Sequence, residues 1–160
     1  MNVFEYAKKM ELDGIHFYQE AADSTTKPGF KKILQLLSNE EQKHYNFFDS
    51  LQQNAGELSG FPADETENIF QQLWRNKEGF DFSAEQVEIY KKAFEIEKQS
   101  EKFYRLQAEK AENEKLKEQL LMVAEEEKKH VILLDGLVEY LSRPKDWVEH
   151  AMFTQPRPEY

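Results

Sequence analysis

The chain repeats itself. Shifted by 86 residues, its two halves overlay without a gap from about residue 3 to residue 51. Ala7 falls on Ala93, Glu11 on Glu97, Phe17-Tyr18 on Phe103-Tyr104, Ala22 on Ala108, Leu34 on Leu120, Glu41 on Glu127, His44 on His130 and Leu51 on Leu137. Such a chain is an internal duplication, and its fold has to place two copies of one unit around a shared interior. Each copy carries a lone Glu, a Tyr seven residues later, and a Glu-x-x-His that begins thirty residues after the lone Glu. Glu is common here, at 24 of 160 residues, so one Glu-x-x-His alone is a weak signal. Its recurrence in register is what gives it weight.

The unit reads as a helical pair. Asn2 with Glu5 three residues on resembles a capping box, and Phe4, Ala7, Glu11, Gly14, Tyr18 and Ala22 follow as one stripe, so a first helix is expected to about Ser24. Thr25 to Gly29 form the turn, with Pro28 suited to open the next helix. That helix carries Phe30, Leu34, Leu37, Glu41, His44, Phe48 and Leu51 at gaps of three and four. The second pair opens at the capping pattern Ser83-Ala84-Glu85-Gln86, with a stripe of Tyr90, Ala93, Glu97, Ser100, Tyr104 and Ala108. After a short turn near Asn113, a fourth helix puts Leu116, Leu120, Val123, Glu127, His130, Leu134, Leu137 and Leu141 on one face, and Arg143-Pro144 ends it. Residues 55–83 lose the period and contain Gly56, Gly60, Pro62 and Gly79, so they read as a long crossover, with a short helix near Glu67 to Trp74. The expected fold is all-α: a ferritin-like four-helix bundle over residues 1–144, built from hairpins 3–54 and 84–142. Residues 145–160 form a C-terminal tail, with Trp147 packed on the end of the bundle.

Composition narrows the chemistry. With no Cys, disulfides, thiol catalysis and Cys-ligated iron or zinc are excluded, so redox work needs another ligand set and an outside electron donor. A formal charge of −10 argues against nucleic acid and anionic membranes as partners. There is no apolar run of membrane-spanning length, and Met1-Asn2-Val3-Phe4-Glu5 has no signal-peptide character, so a cytoplasmic location is expected.

The interruptions of the core stripes carry the functional reading. On a helix, residues three apart lie about 60° apart around the axis and one turn along it, so the Glu and His of each motif point the same way. Four carboxylates and two imidazoles in an apolar interior would bear a large desolvation cost, and two divalent cations would cancel their charge. One Glu from each of two helices and a Glu-x-x-His from each of the other two is the arrangement of di-iron and di-manganese carboxylate bundles. The candidate ligands are therefore Glu11, Glu41, His44, Glu97, Glu127 and His130, with Glu41 and Glu127 expected to bridge. Carboxylate-rich ligation suits two iron ions, with manganese or zinc as alternatives. Tyr18 and Tyr104 lie on the ligand stripes two turns away; they read either as hydrogen-bond donors to the ligands, with a part in catalysis, or as plain core aromatics. His16 and His150 lack the pattern, and Glu40 and Glu126 read as surface charges.

On these residues the chain resembles the rubrerythrin-type members of the ferritin-like superfamily. The resemblance spans both helical pairs and rests on the paired Glu-x-x-His in repeat register. It implies a di-iron centre that reacts with hydrogen peroxide or dioxygen, reducing peroxide to water with electrons from a partner such as a rubredoxin-like protein. Two departures stand out. The cysteine-ligated rubredoxin-like module usual in rubrerythrins is missing, and the additional glutamate they carry three residues from a third-helix ligand is replaced here by Phe94 and Ser100. A ferroxidase, or a di-metal zinc or manganese protein without turnover, is the alternative reading. The duplicated hairpins and long crossover also predict a homodimer, open to exchange of helical pairs between chains.

Overall fold

The computed structural model describes residues 2–54 and 84–142, which form four helices and, among the described residues, no strand. Helix α1 runs Val3–Ser24, α2 Pro28–Asn54, α3 Ala84–Lys110 and α4 Glu114–Leu141. Local chemistry accounts for the ends. Asn2 is the N-cap of α1, its side-chain Oδ1 accepting from the Glu5 amide at 2.9 Å. Asn113 caps α4 in the same way, accepting from the Leu116 amide at 2.7 Å. Pro28 is the first residue of α2, where its missing N–H costs nothing. The expected crossover at 55–83 with its short helix, Ser83, the Arg143-Pro144 stop and the tail at 145–160 lie outside the described residues.

Contacts between helices set the topology. Within the first hairpin Lys8 pairs with Asp49 and Ser38 donates to the Ile15 carbonyl, so advancing along α1 means retreating along α2. α3 and α4 form the corresponding pair. Across the hairpins Tyr18 meets Glu97 and Tyr104 meets Glu11, so α1 and α3 are antiparallel as well. α2 and α3 therefore run in the same direction. This is the bundle of two hairpins that the duplication predicts.

The expected stripes are the core. Every named stripe residue is buried except Phe4 and Leu116, which are half-buried. The apolar part falls into two clusters, each fed by all four helices. One holds Tyr18, Ala22, Phe30, Leu34, Tyr90, Ala93, Leu134 and Leu137; the other holds Ala7, Phe48, Leu51, Tyr104, Ala108, Leu120 and Val123. The repeat exchanges them: Ala7 and Leu51 of one correspond to Ala93 and Leu137 of the other. Each fully buried Leu or Phe contributes about 1.5–3 kcal/mol, so the two clusters hold a polar layer between them in place. No helix among the described residues is long and apolar enough to cross a membrane.

Candidate metal centre

The polar layer consists of the six duplicated residues. Glu11, Glu41, His44, Glu97, Glu127 and His130 are each no more than 2% exposed. They gather into two overlapping groups, Glu11 with Glu41, His44 and Glu127, and Glu41 with Glu97, Glu127 and His130; within each group the donor atoms lie within 4.8 Å of one another. Glu41 and Glu127 belong to both. The two imidazoles stack with centroids 5.8 Å apart and planes 14° from parallel. His44 Nδ1 is 2.8 Å from Glu127 Oε1 and 3.5 Å from Glu11 Oε1. His130 Nδ1 is 3.7 Å from both Glu41 Oε1 and Glu97 Oε1.

The tyrosines serve the opposite half. Tyr18 donates its hydroxyl to Glu97 Oε1 at 2.6 Å, and Tyr104 donates to Glu11 Oε1 at 2.5 Å. Because α1 and α3 are antiparallel, a Tyr two turns past its own Glu comes level with the Glu of the other copy. Each bond orients one carboxylate and ties the hairpins together. Burial, with the nearby Glu97 and Glu11 charges, raises both hydroxyls well above the ordinary tyrosine pKa, so they remain protonated donors.

Electrostatics show what the layer tolerates. Burial drives Glu41 and Glu127 well above the carboxylate range, and the neighbouring carboxylates add to it. Burial also pushes Glu11 up to about 7, against hydrogen bonds with Glu41, Tyr104 and Glu127 that favour its charged form. At Glu97 burial acts in the same sense, but hydrogen bonds with Glu127, His130 and Tyr18 and the charge on His130 outweigh it and bring the group down to about 2. Burial lowers His44, leaving a neutral imidazole able to offer a lone pair. One oxygen of each carboxylate, Glu11 Oε2, Glu41 Oε1, Glu97 Oε2 and Glu127 Oε2, is buried with no hydrogen-bond partner. Such atoms are costly unless something cationic meets them. Four carboxylates and two imidazoles fit a pair of divalent cations, and the oxygen-rich donor set suits iron or manganese.

Gly14 borders this layer. A Cβ built there would stand 2.9 Å from Glu41 Oε2, closer than real Cβ atoms approach. One sequence reading changes in the structure. Glu40, expected at the surface, is 1% exposed and pairs with Lys43 Nζ at 3.0 Å. The buried sector of α2 is wider than one stripe, because Leu36 and Phe47, one turn before and two turns after, are buried on that flank. Their spacing was the signal available in the sequence. Glu126, its counterpart, is partly buried and pairs with Lys129. Glu101, one turn past Glu97, pairs with Arg105 at 2.8 Å and is absent from both donor groups. His16 is exposed and outside them, and His150 lies outside the described residues.

Comparison with known proteins agrees with this geometry. The family model described as Rubrerythrin matches residues 2–56 and 88–160. Neither the curated proteins nor the solved structures give a match. The matched segments take in all six clustered donors and both hairpins apart from the first four residues of α3, and the chain belongs to the rubrerythrin family.

Proposed function

We propose that this protein is a non-haem di-iron oxidoreductase that reduces hydrogen peroxide, or dioxygen, with electrons from an external donor such as a rubredoxin-like protein. The observation that supports the reading is the pair of donor groups sharing Glu41 and Glu127, which fits one centre for two neighbouring cations better than two separate sites. Two iron ions held there would supply two electrons and open coordination positions, which is what cleavage of an O–O bond requires. Glu41 and Glu127, common to both donor groups, would hold the pair together with Glu11, Glu97, His44 and His130. For peroxide the balance is one H2O2, two electrons and two protons giving two waters. Tyr18 and Tyr104 hold the outer carboxylates in place and keep donor protons beside them. The apolar clusters on either side exclude bulk water from the layer.

A second reading has a specific observation in its favour. The positions three residues either side of Glu97 are Phe94 and Ser100, and Glu101 is held by Arg105, so α3 offers one carboxylate to the centre. This fits a ferroxidase, with ferrous iron as substrate and dioxygen as oxidant. The test is anaerobic loading with Fe(II) followed by stopped-flow mixing with peroxide or dioxygen. Faster oxidation by peroxide is expected; dioxygen reacting faster would favour the ferroxidase, and no spectral change with either would reject both. Zinc in the protein as purified, with no visible absorption, would instead identify a di-metal protein without turnover. In this reading the protein works as a homodimer, which light scattering showing a stable monomer would reject.

A further inference from the structure

One residue of α1 leaves room for a carboxylate that belongs to both donor groups. In repeat register Gly14 of α1 corresponds to Ser100 of α3, and Glu41 to Glu127. All four are buried. Glu41 Oε2 occupies the space that a side chain at position 14 would fill, 2.9 Å from the position of a Cβ. The other half has a serine at the corresponding point.

We infer that Gly14 is a positioning residue that seats Glu41 against α1, where any side chain would displace a carboxylate common to both donor groups. The inference rests on the metal-centre reading above. Gly14 touches no cation in this scheme; it acts through Glu41. Glycine in the middle of a helix is otherwise disfavoured relative to alanine, so its presence here needs a local reason, and the carboxylate supplies one.

Calorimetric titration of the metal-free protein with Mn(II), alongside its melting temperature without metal, tests this. The parent should take up two equivalents. Gly14→Ala should weaken Mn(II) binding tenfold or more while leaving the metal-free melting temperature the same or higher, since alanine favours helix. Unchanged affinity, or a lowered metal-free melting temperature, would show that Gly14 serves packing and not Glu41. A parent that takes up no Mn(II) at all would instead sink the metal-centre reading, a result distinct from two bound equivalents that ignore position 14.

Discussion

Glu41 and Glu127 are the residues whose surroundings suit them least when no cation is present. Both are buried beside other carboxylates, and both hold protons far above the usual range. If they bridge two cations, Glu41→Ala removes a donor from both positions, so elemental analysis should show at least one equivalent lost; His130→Ala should also lose one. Two equivalents retained in either variant would reject the assignment. Tyr104→Phe and Tyr18→Phe leave the ring packing in place but remove the donors to Glu11 and Glu97, and should lower Mn(II) affinity by about tenfold to a hundredfold. The pH dependence follows from the same shifts. Glu11, Glu41 and Glu127 keep protons in the folded state that the unfolded chain releases, so their contribution is fully present below the ordinary carboxylate pKa of 4.5 and is lost as pH rises, through about 7 for Glu11 and higher for the other two. Glu97, lowered to about 2, acts in the opposite sense, its contribution being present above 4.5 and lost toward about 2. The melting temperature of the chelator-treated protein should therefore fall between pH 5 and pH 8. With Mn(II) present the trend should reverse, because cations bind the deprotonated carboxylates. A metal-free protein that grows more stable toward pH 8 would contradict the burial described for this layer.

At the scale of the helices, caps and stripes do most of the specifying. Asn113→Ala deletes the acceptor for the Leu116 amide in a turn of only three residues between α3 and α4, and should cost about 1 kcal/mol, read as a lowered melting temperature. Leu134→Ala opens a void where all four helices meet and should cost about 2–5 kcal/mol in denaturant unfolding. These features were legible in the sequence because each depends on residues within one or two turns of one another. Asn2, Pro28 and Asn113 mark their helix ends by local hydrogen bonding, and stripes at gaps of three and four define one face whatever lies opposite. The burial of Glu40 was not legible in the same way. One stripe gives the centre of a buried sector but not its width, which depends on how closely neighbouring helices approach on either flank.

At the scale of the whole molecule, the layer of candidate ligands and the bundle are one structure. The layer of six ionisable residues separates two apolar clusters, so cations bound there add to folding stability by mass action. Removing the metal with a chelator should lower the melting temperature, and an unchanged value would point to a purely structural bundle. The sequence by itself determined the helices, the duplication and the six donor residues that share one interior, because helical periodicity is local and a repeat declares which positions are equivalent. Only the tertiary structure decided which tyrosine serves which glutamate, that Gly14 makes room for Glu41, and that the distances from His44 to Glu127 and from His130 to Glu41 differ. Those facts depend on how far one helix slides along another and in which direction it runs, and that is set by the packing of side chains distant in sequence, which no single stripe records.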